Sequence, residues 1–188
     1  MLKEAKYLLC AGGVVVLPTD TVYGLAAHPA FPSAVARLHT LKGRPADKPI
    51  AMLAADVEAV RTYVKTLPGT AEKMARAFWP GALTLVLPCG DGYEGFRVPD
   101  DPFLCGLLSD CGGVLRVTSA NLSGEPPALN AKDALNSVGK ESDLVIDRGP
   151  SPGGVASTVV KVEQDGSWKI LRDGPVGEAD IRACLAEK

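Results

Sequence analysis

Short apolar runs, each closed by proline, glycine or polar residues and alternating with segments of helical period, most restrict how this chain can fold. Val14, Val15, Val16 and Leu17 end at Pro18, a β-branched run suited to a strand buried on both faces. Over residues 32–41, Ala34, Val35, Leu38 and Leu41 recur at helical spacing, and Ser33 stands where a capping hydroxyl is expected. Residues 50–53 read as the next strand and 56–67, with Val57, Val60 and Val64 on one face, as the next helix. A helix over 70–78 ends at Trp79-Pro80-Gly81, and a strand over 83–87 is bounded by Pro88. Phe96, Arg97 and Val98 form a short strand at a sheet edge. Helices over 103–109, 131–137 and 179–186, and strands over 114–117, 144–147, 157–162 and 168–171, complete the pattern. Alternating strands and helices imply an α/β fold, and the closely spaced last strands imply antiparallel pairing. The expectation is a mixed parallel/antiparallel twisted sheet with flanking helices, in one domain spanning residues 1–188.

Composition removes several classes of function. The chain carries 20 Lys and Arg against 22 Asp and Glu, so it lacks the overall positive charge of non-specific nucleic-acid binders, and any RNA contact must be local. Cys10, Cys89, Cys105, Cys111 and Cys184 are odd in number and form no C-x-x-C pair, which signals neither a zinc site nor a disulfide frame. No apolar run approaches the roughly 20 residues that cross a bilayer, and the first residues break at Gly12-Gly13 before a secretory segment could form. A cytoplasmic, membrane-free protein is expected. Neither G-x-x-x-x-G-K-[ST] nor G-x-G-x-x-G occurs, so any nucleotide is bound by other means.

The chemistry-bearing residues gather where strands end. Thr19, Asp20, Thr21 and Tyr23 follow the first strand, at the carboxyl end where open α/β sheets hold ligands. The same residue types also cap turns, and a capping role is favoured for Asp20 over that of a general base. Lys42, Arg44 and Lys48 lie in a loop stiffened by Pro45 and Pro49. Such a loop suits a polyanion, though a solvated basic loop has the same composition. Ser119 and Asn121 follow the strand over 114–117 and offer directional hydrogen bonds without a neighbouring histidine, which argues against a Ser-His-Asp nucleophile. Arg97, Ser157 and Arg172 add cations and a hydroxyl at three further strand ends.

Taken in order, P-T-D-T-V-Y-G-L, K-G-R-P-A-D-K-P, W-P-G-A-L-T, T-S-A-N-L-S-G, S-T-V-V and L-R-D-G resemble the YrdC/TsaC-like family from about residue 12 to 175. The family's K-x-R and S-x-N signatures are met by Lys42, Arg44, Ser119 and Asn121. This resemblance implies a fold with a large concave cavity. In it L-threonine, bicarbonate or CO2 and ATP with Mg2+ would yield threonylcarbamoyl-AMP and pyrophosphate. Partner proteins would then transfer the threonylcarbamoyl group to tRNA, leaving at most a weak tRNA contact to this chain. It further implies that Lys42, Arg44 and Lys48 act in catalysis. Arg44, Lys48, Ser119, Asn121 and Arg172 would bind ATP, and Thr21, Arg97 and Ser157 would bind threonine. No metal ligand from a protein side chain is expected. Two departures stand out: Thr118 occupies a position where proline is common in the family and so bears on the backbone at the nucleotide site, and residues 50–53 end less polar than usual. A noncatalytic binder of double-stranded RNA or tRNA with the same fold is the alternative from another class. A sibling activity on carbamoyl phosphate is a second, although it accompanies large chains with added cysteine-rich segments.

Overall fold

The computed structural model describes residues 1–64 and 66–186. Among them nine strands form one sheet: β1 (Val14–Leu17), β2 (Gly24–Ala27), β3 (Met52–Ala54), β4 (Leu83–Cys89), β5 (Gly92–Arg97), β6 (Val114–Ser119), β7 (Leu144–Val145), β8 (Thr158–Val162) and β9 (Trp168–Arg172). Their order is β7-β1-β2-β6-β3-β5-β4-β8-β9. The pairs β1/β7, β3/β5 and β4/β8 are parallel and the rest antiparallel, so the mixed sheet expected from the sequence is present. The helices are α1 (Leu2–Cys10), α2 (Pro32–Lys42), α3 (Val57–Arg61), α4 (Gly69–Phe78), α5 (Pro102–Asp110), α6 (Ala131–Ser137) and α7 (Glu178–Ala186).

Three apolar clusters hold the helices to the sheet. Val14, Val16 and Leu25 pack with α2 and α6, while Val15, Leu17 and Leu115, on the opposite face, pack with α1 and α5. In the other half, Leu83, Leu85, Phe96 and Val160 pack with α4 and α7. Side chains alternate along a strand, so β3, β4, β5 and β8 turn Leu53, Thr84, Arg97 and Val159 away from this last core. There the cavity forms, with Leu53 shared between its lining and the apolar cluster under α5.

Several local expectations are corrected. Ser33 does not cap α2: Phe31 is the N-cap, and Pro32 begins the helix at a position where its missing N–H costs nothing. The helix expected over 56–67 is helical only over Val57–Arg61, capped by Asp56, whose carboxylate accepts the Ala59 amide at 2.7 Å. Lys65, within that expected helix, lies outside the described residues. β4 runs through Pro88 to Cys89, and β5 lies inside the sheet between β3 and β4 instead of at an edge. Two elements were not anticipated: α1, read only as too short for a leader, and β2, whose Gly-Leu-Ala-Ala lacks the β-branched residues that mark strands.

Candidate functional site

Pro18 ends β1, and Thr19 then organises the turn. Its hydroxyl donates to the Val22 carbonyl (2.7 Å), accepts from the Thr21 and Val22 amides, and lies 2.9 Å from Thr21 Oγ1. The 149–154 loop seats directly on this turn. A Cβ at Gly153 would come within 2.6 Å of the Asp20 carbonyl oxygen, so glycine is required for that approach.

Asp20 does not cap the turn. Both its carboxylate oxygens accept from Arg97 Nη1, at 2.7 and 2.8 Å, in an ion pair whose side chains are 5% and 10% exposed. Arg97 also donates to Thr21 Oγ1 (3.3 Å) and to the Gly81 carbonyl (3.3 Å). Close by, Ser157 Oγ lies 2.8 Å from Thr84 Oγ1 and accepts from Arg172 Nη2 at 3.2 Å, while Arg172 holds the Ser157 carbonyl through Nε and Nη2. Thr84, the last residue of the W-P-G-A-L-T motif, was not nominated as a site residue but lines the cavity. The signal was present, because it is the polar residue between Leu83 and Leu85 in a strand whose leucines face the core.

The other wall comes from the end of α2. Gly43 leaves the helix in a left-handed conformation (φ 56°) and so turns the chain back, letting Arg44 donate its amide to the His39 carbonyl. Lys42, the last helical residue, is 3% exposed. Its ammonium donates to the Ser119 carbonyl and, at 2.5 Å, to the Asn121 carbonyl, while its own carbonyl accepts the Ser123 amide. Lys42 is thus a clamp on the S-x-N segment, and burial, followed by the nearby Arg44 charge, pushes its pKa down to about 8. Asn121 uses its amide nitrogen on the Leu122 and Glu125 carbonyls, which shapes the loop. Arg44 donates to the Lys48 and Pro49 carbonyls, and Lys48 is exposed. Thr118 leaves the strand regular: β6 continues through it, with Thr118 opposite Leu25 and Ser119 opposite Gly24.

All nine nominated residues reach one cavity of about 580 Å³: Thr21, Lys42, Arg44, Lys48, Arg97, Ser119, Asn121, Ser157 and Arg172. That size falls within the range of small-molecule sites, roughly 300–1,000 Å³. Leu53, opposite Arg97 in register, supplies part of its apolar lining. Among the described residues no Asp or Glu lines the cavity, and Arg97 is the one lining cation with a carboxylate partner. Arg172 feels this excess charge: burial first, then Arg97 and Arg44, lower its pKa. A wall of unneutralised cations can hold a polyanion, whereas Arg97 reaches the cavity with its charge already balanced by Asp20 behind it.

Comparison with known proteins gives one answer. The Sua5/YciO/YrdC family model, described as "Telomere recombination", matches residues 7–174. A Mycobacterium tuberculosis protein, provisionally named as a threonylcarbamoyl-AMP synthase, is 38% identical over 185 residues, covering 93% of this chain and 84% of its own. The threonylcarbamoyl-AMP synthase of Bacillus subtilis is 34% identical over 98% of this chain and 56% of its own. The crystal structure of Pyrococcus abyssi Sua5 complexed with L-threonine superposes with a TM-score of 0.92 at 31% identity, over 99% of this chain and 57% of that one. The chain thus spans a little over half the length of the last two. No helix among the described residues is long and apolar enough to cross a membrane. With its family model, relatives and fold in agreement, the chain belongs to the Sua5/YciO/YrdC family.

Proposed function

We propose that this protein is an L-threonylcarbamoyladenylate synthase, a nucleotidyltransferase that condenses L-threonine, bicarbonate or CO2 and ATP into threonylcarbamoyl-AMP and pyrophosphate. The observation that carries this reading is the convergence of the nine residues on one cavity with two electrostatically different ends. The names of the B. subtilis and P. abyssi relatives, and the threonine bound in the latter, support it.

At one end the triphosphate of ATP would meet Arg44 and Lys48, with Ser119 and Asn121 in the nucleotide site, and Arg172, bonded to Ser157, would reach the nucleotide from the boundary between the two ends. At the other, the threonine carboxylate would meet Arg97 and the threonine hydroxyl would meet Thr21 or Ser157. The threonine amine adds to CO2 and loses a proton, forming a carbamate. A carbamate oxygen then attacks the α-phosphorus as pyrophosphate departs. Negative charge grows on the leaving phosphates, so the cations stabilise the transition state more than the ground state. No protein nucleophile is needed, and positioning of the reactants supplies much of the rate. Lys42 acts in this scheme by holding Ser119 and Asn121. Among the described residues the lining offers a magnesium ion no carboxylate ligand, so an ion arriving with ATP would be held by the phosphates. Partner proteins would carry the threonylcarbamoyl group to tRNA.

The test is to incubate the full chain with ATP, magnesium and bicarbonate, with and without threonine, and to measure pyrophosphate and threonylcarbamoyl-AMP by mass spectrometry. Threonine-dependent formation of both is expected. Pyrophosphate release that ignores threonine, or no ATP turnover at all, would overturn the reading.

A further inference from the structure

A second cavity of about 280 Å³ lies outside the carboxyl ends of β3 and β5, the parallel neighbours that lead into α3 and α5. Its walls are apolar and stiff: Trp79, Pro80, Val98, Pro99 and Pro102 contribute to them. The wall's own polar atoms are occupied, since Trp79 Nε1 donates to the Leu83 carbonyl (2.7 Å) and Cys105 Sγ to the Pro99 carbonyl (3.3 Å). Among the described residues its lining includes Asp56, Asp100 and Asp101 and no Lys or Arg, while Arg148 reaches Asp101 from outside the lining. Asp56 and Asp101 cap α3 and α5, and Asp101 also pairs with Arg148 at 3.4 Å, which leaves Asp100, exposed, as the carboxylate without such a duty. At this size the groove holds one large side chain and not a whole cofactor.

The groove backs onto Arg97. Val98, in its wall, follows Arg97 in the chain, and the Val98 carbonyl accepts the Gly81 amide at 2.8 Å. Gly81 follows Pro80, also in the wall, and its carbonyl accepts from Arg97 Nη1. An occupant therefore touches both residues adjoining the contacts that fix the guanidinium.

We propose that this groove is a docking site for a partner-protein segment in which one apolar side chain is flanked by Lys or Arg, and that its occupation is felt at Arg97. Charge complementarity with the anionic rim selects the flanking residues, and the apolar wall selects the anchor. The docking claim is independent of the reaction proposed above.

The full chain is titrated with acetyl-Arg-Leu-Arg-amide, following the Trp79 indole and Arg97 Nε–H resonances by NMR. Saturable shifts at Trp79 are expected, with Arg97 moving on the same curve. Acetyl-Arg-Gly-Arg-amide and acetyl-Glu-Leu-Glu-amide should give no saturable shift at Trp79. Asp100→Asn should weaken binding about threefold, and Asp100→Lys about tenfold. Equal binding of the acidic peptide, or an undiminished affinity in a folded Asp100→Lys variant, overturns the docking site. A still Arg97 resonance with a shifting Trp79 overturns the linkage. Failure of the proposed reaction would show separately, as threonine leaving the Arg97 resonance unmoved.

Discussion

The two ends of the large cavity solve opposite electrostatic problems. At the Arg97 end a buried guanidinium is neutralised by Asp20, an ion pair with further bonds to Thr21 and Gly81. At the Lys42 end the cations rest on backbone carbonyls, with no carboxylate beside them. The first end is nearly balanced and suits a zwitterion such as a free amino acid. The second is charged in advance and suits a polyanion that arrives with the missing negative charge.

This contrast can be broken by substitution. Arg97→Met leaves Asp20 buried without its partner and should cost about 3–5 kcal/mol in chemical denaturation. A loss below 1 kcal/mol would show that the pair is not the structural centre of its end. At the other end the expected signature is in pH. The unfolded chain holds the Lys42 proton up to its ordinary pKa of 10.5, while the folded chain releases it near 8. Between those values the unfolded state binds more protons, so stability should rise with pH by up to about 3 kcal/mol, and Lys42→Met should lack that rise. ATP affinity should fall over the same window, as calorimetry can check.

Arg44→Ala should lower synthesis about a hundredfold, near 2.7 kcal/mol in the barrier, while stability stays within about 1 kcal/mol because the residue is partly exposed. Unfolding of that variant would make the cationic loop structural. The smallest effect belongs to Thr84→Val: it removes one hydroxyl contact, while Ser157 keeps its bond from Arg172, so about 1 kcal/mol of stability should go. A much larger loss would join Thr84 to the Arg97 network.

What could be read from sequence followed locality. β-branched runs announced β1 and β8, and the polar strand ends announced the cavity, because both signals lie within a few residues. β2 was silent, since Gly-Leu-Ala-Ala carries burial without strand propensity. The partner of Asp20 stands 77 positions away on another strand, so spacing suggested a cap where the fold makes an ion pair. Lys42 was assigned to catalysis through the family's K-x-R signature. Its clamp on Ser119 and Asn121 depends on the α2 end meeting the β6 end, a juxtaposition made only by the assembled sheet. The placement of β5 inside the sheet likewise depends on β3 and β4 closing around it.

The clamp has a practical side. Lys42 grips main-chain oxygens, which every amino acid possesses, and Ser119 Oγ stands a loose 3.4 Å from its ammonium. Asn121, by contrast, shapes its loop with its own amide. Position 119 is therefore a place to reshape the cavity wall by protein engineering without unseating the loop, and Asn121 is the residue to leave in place.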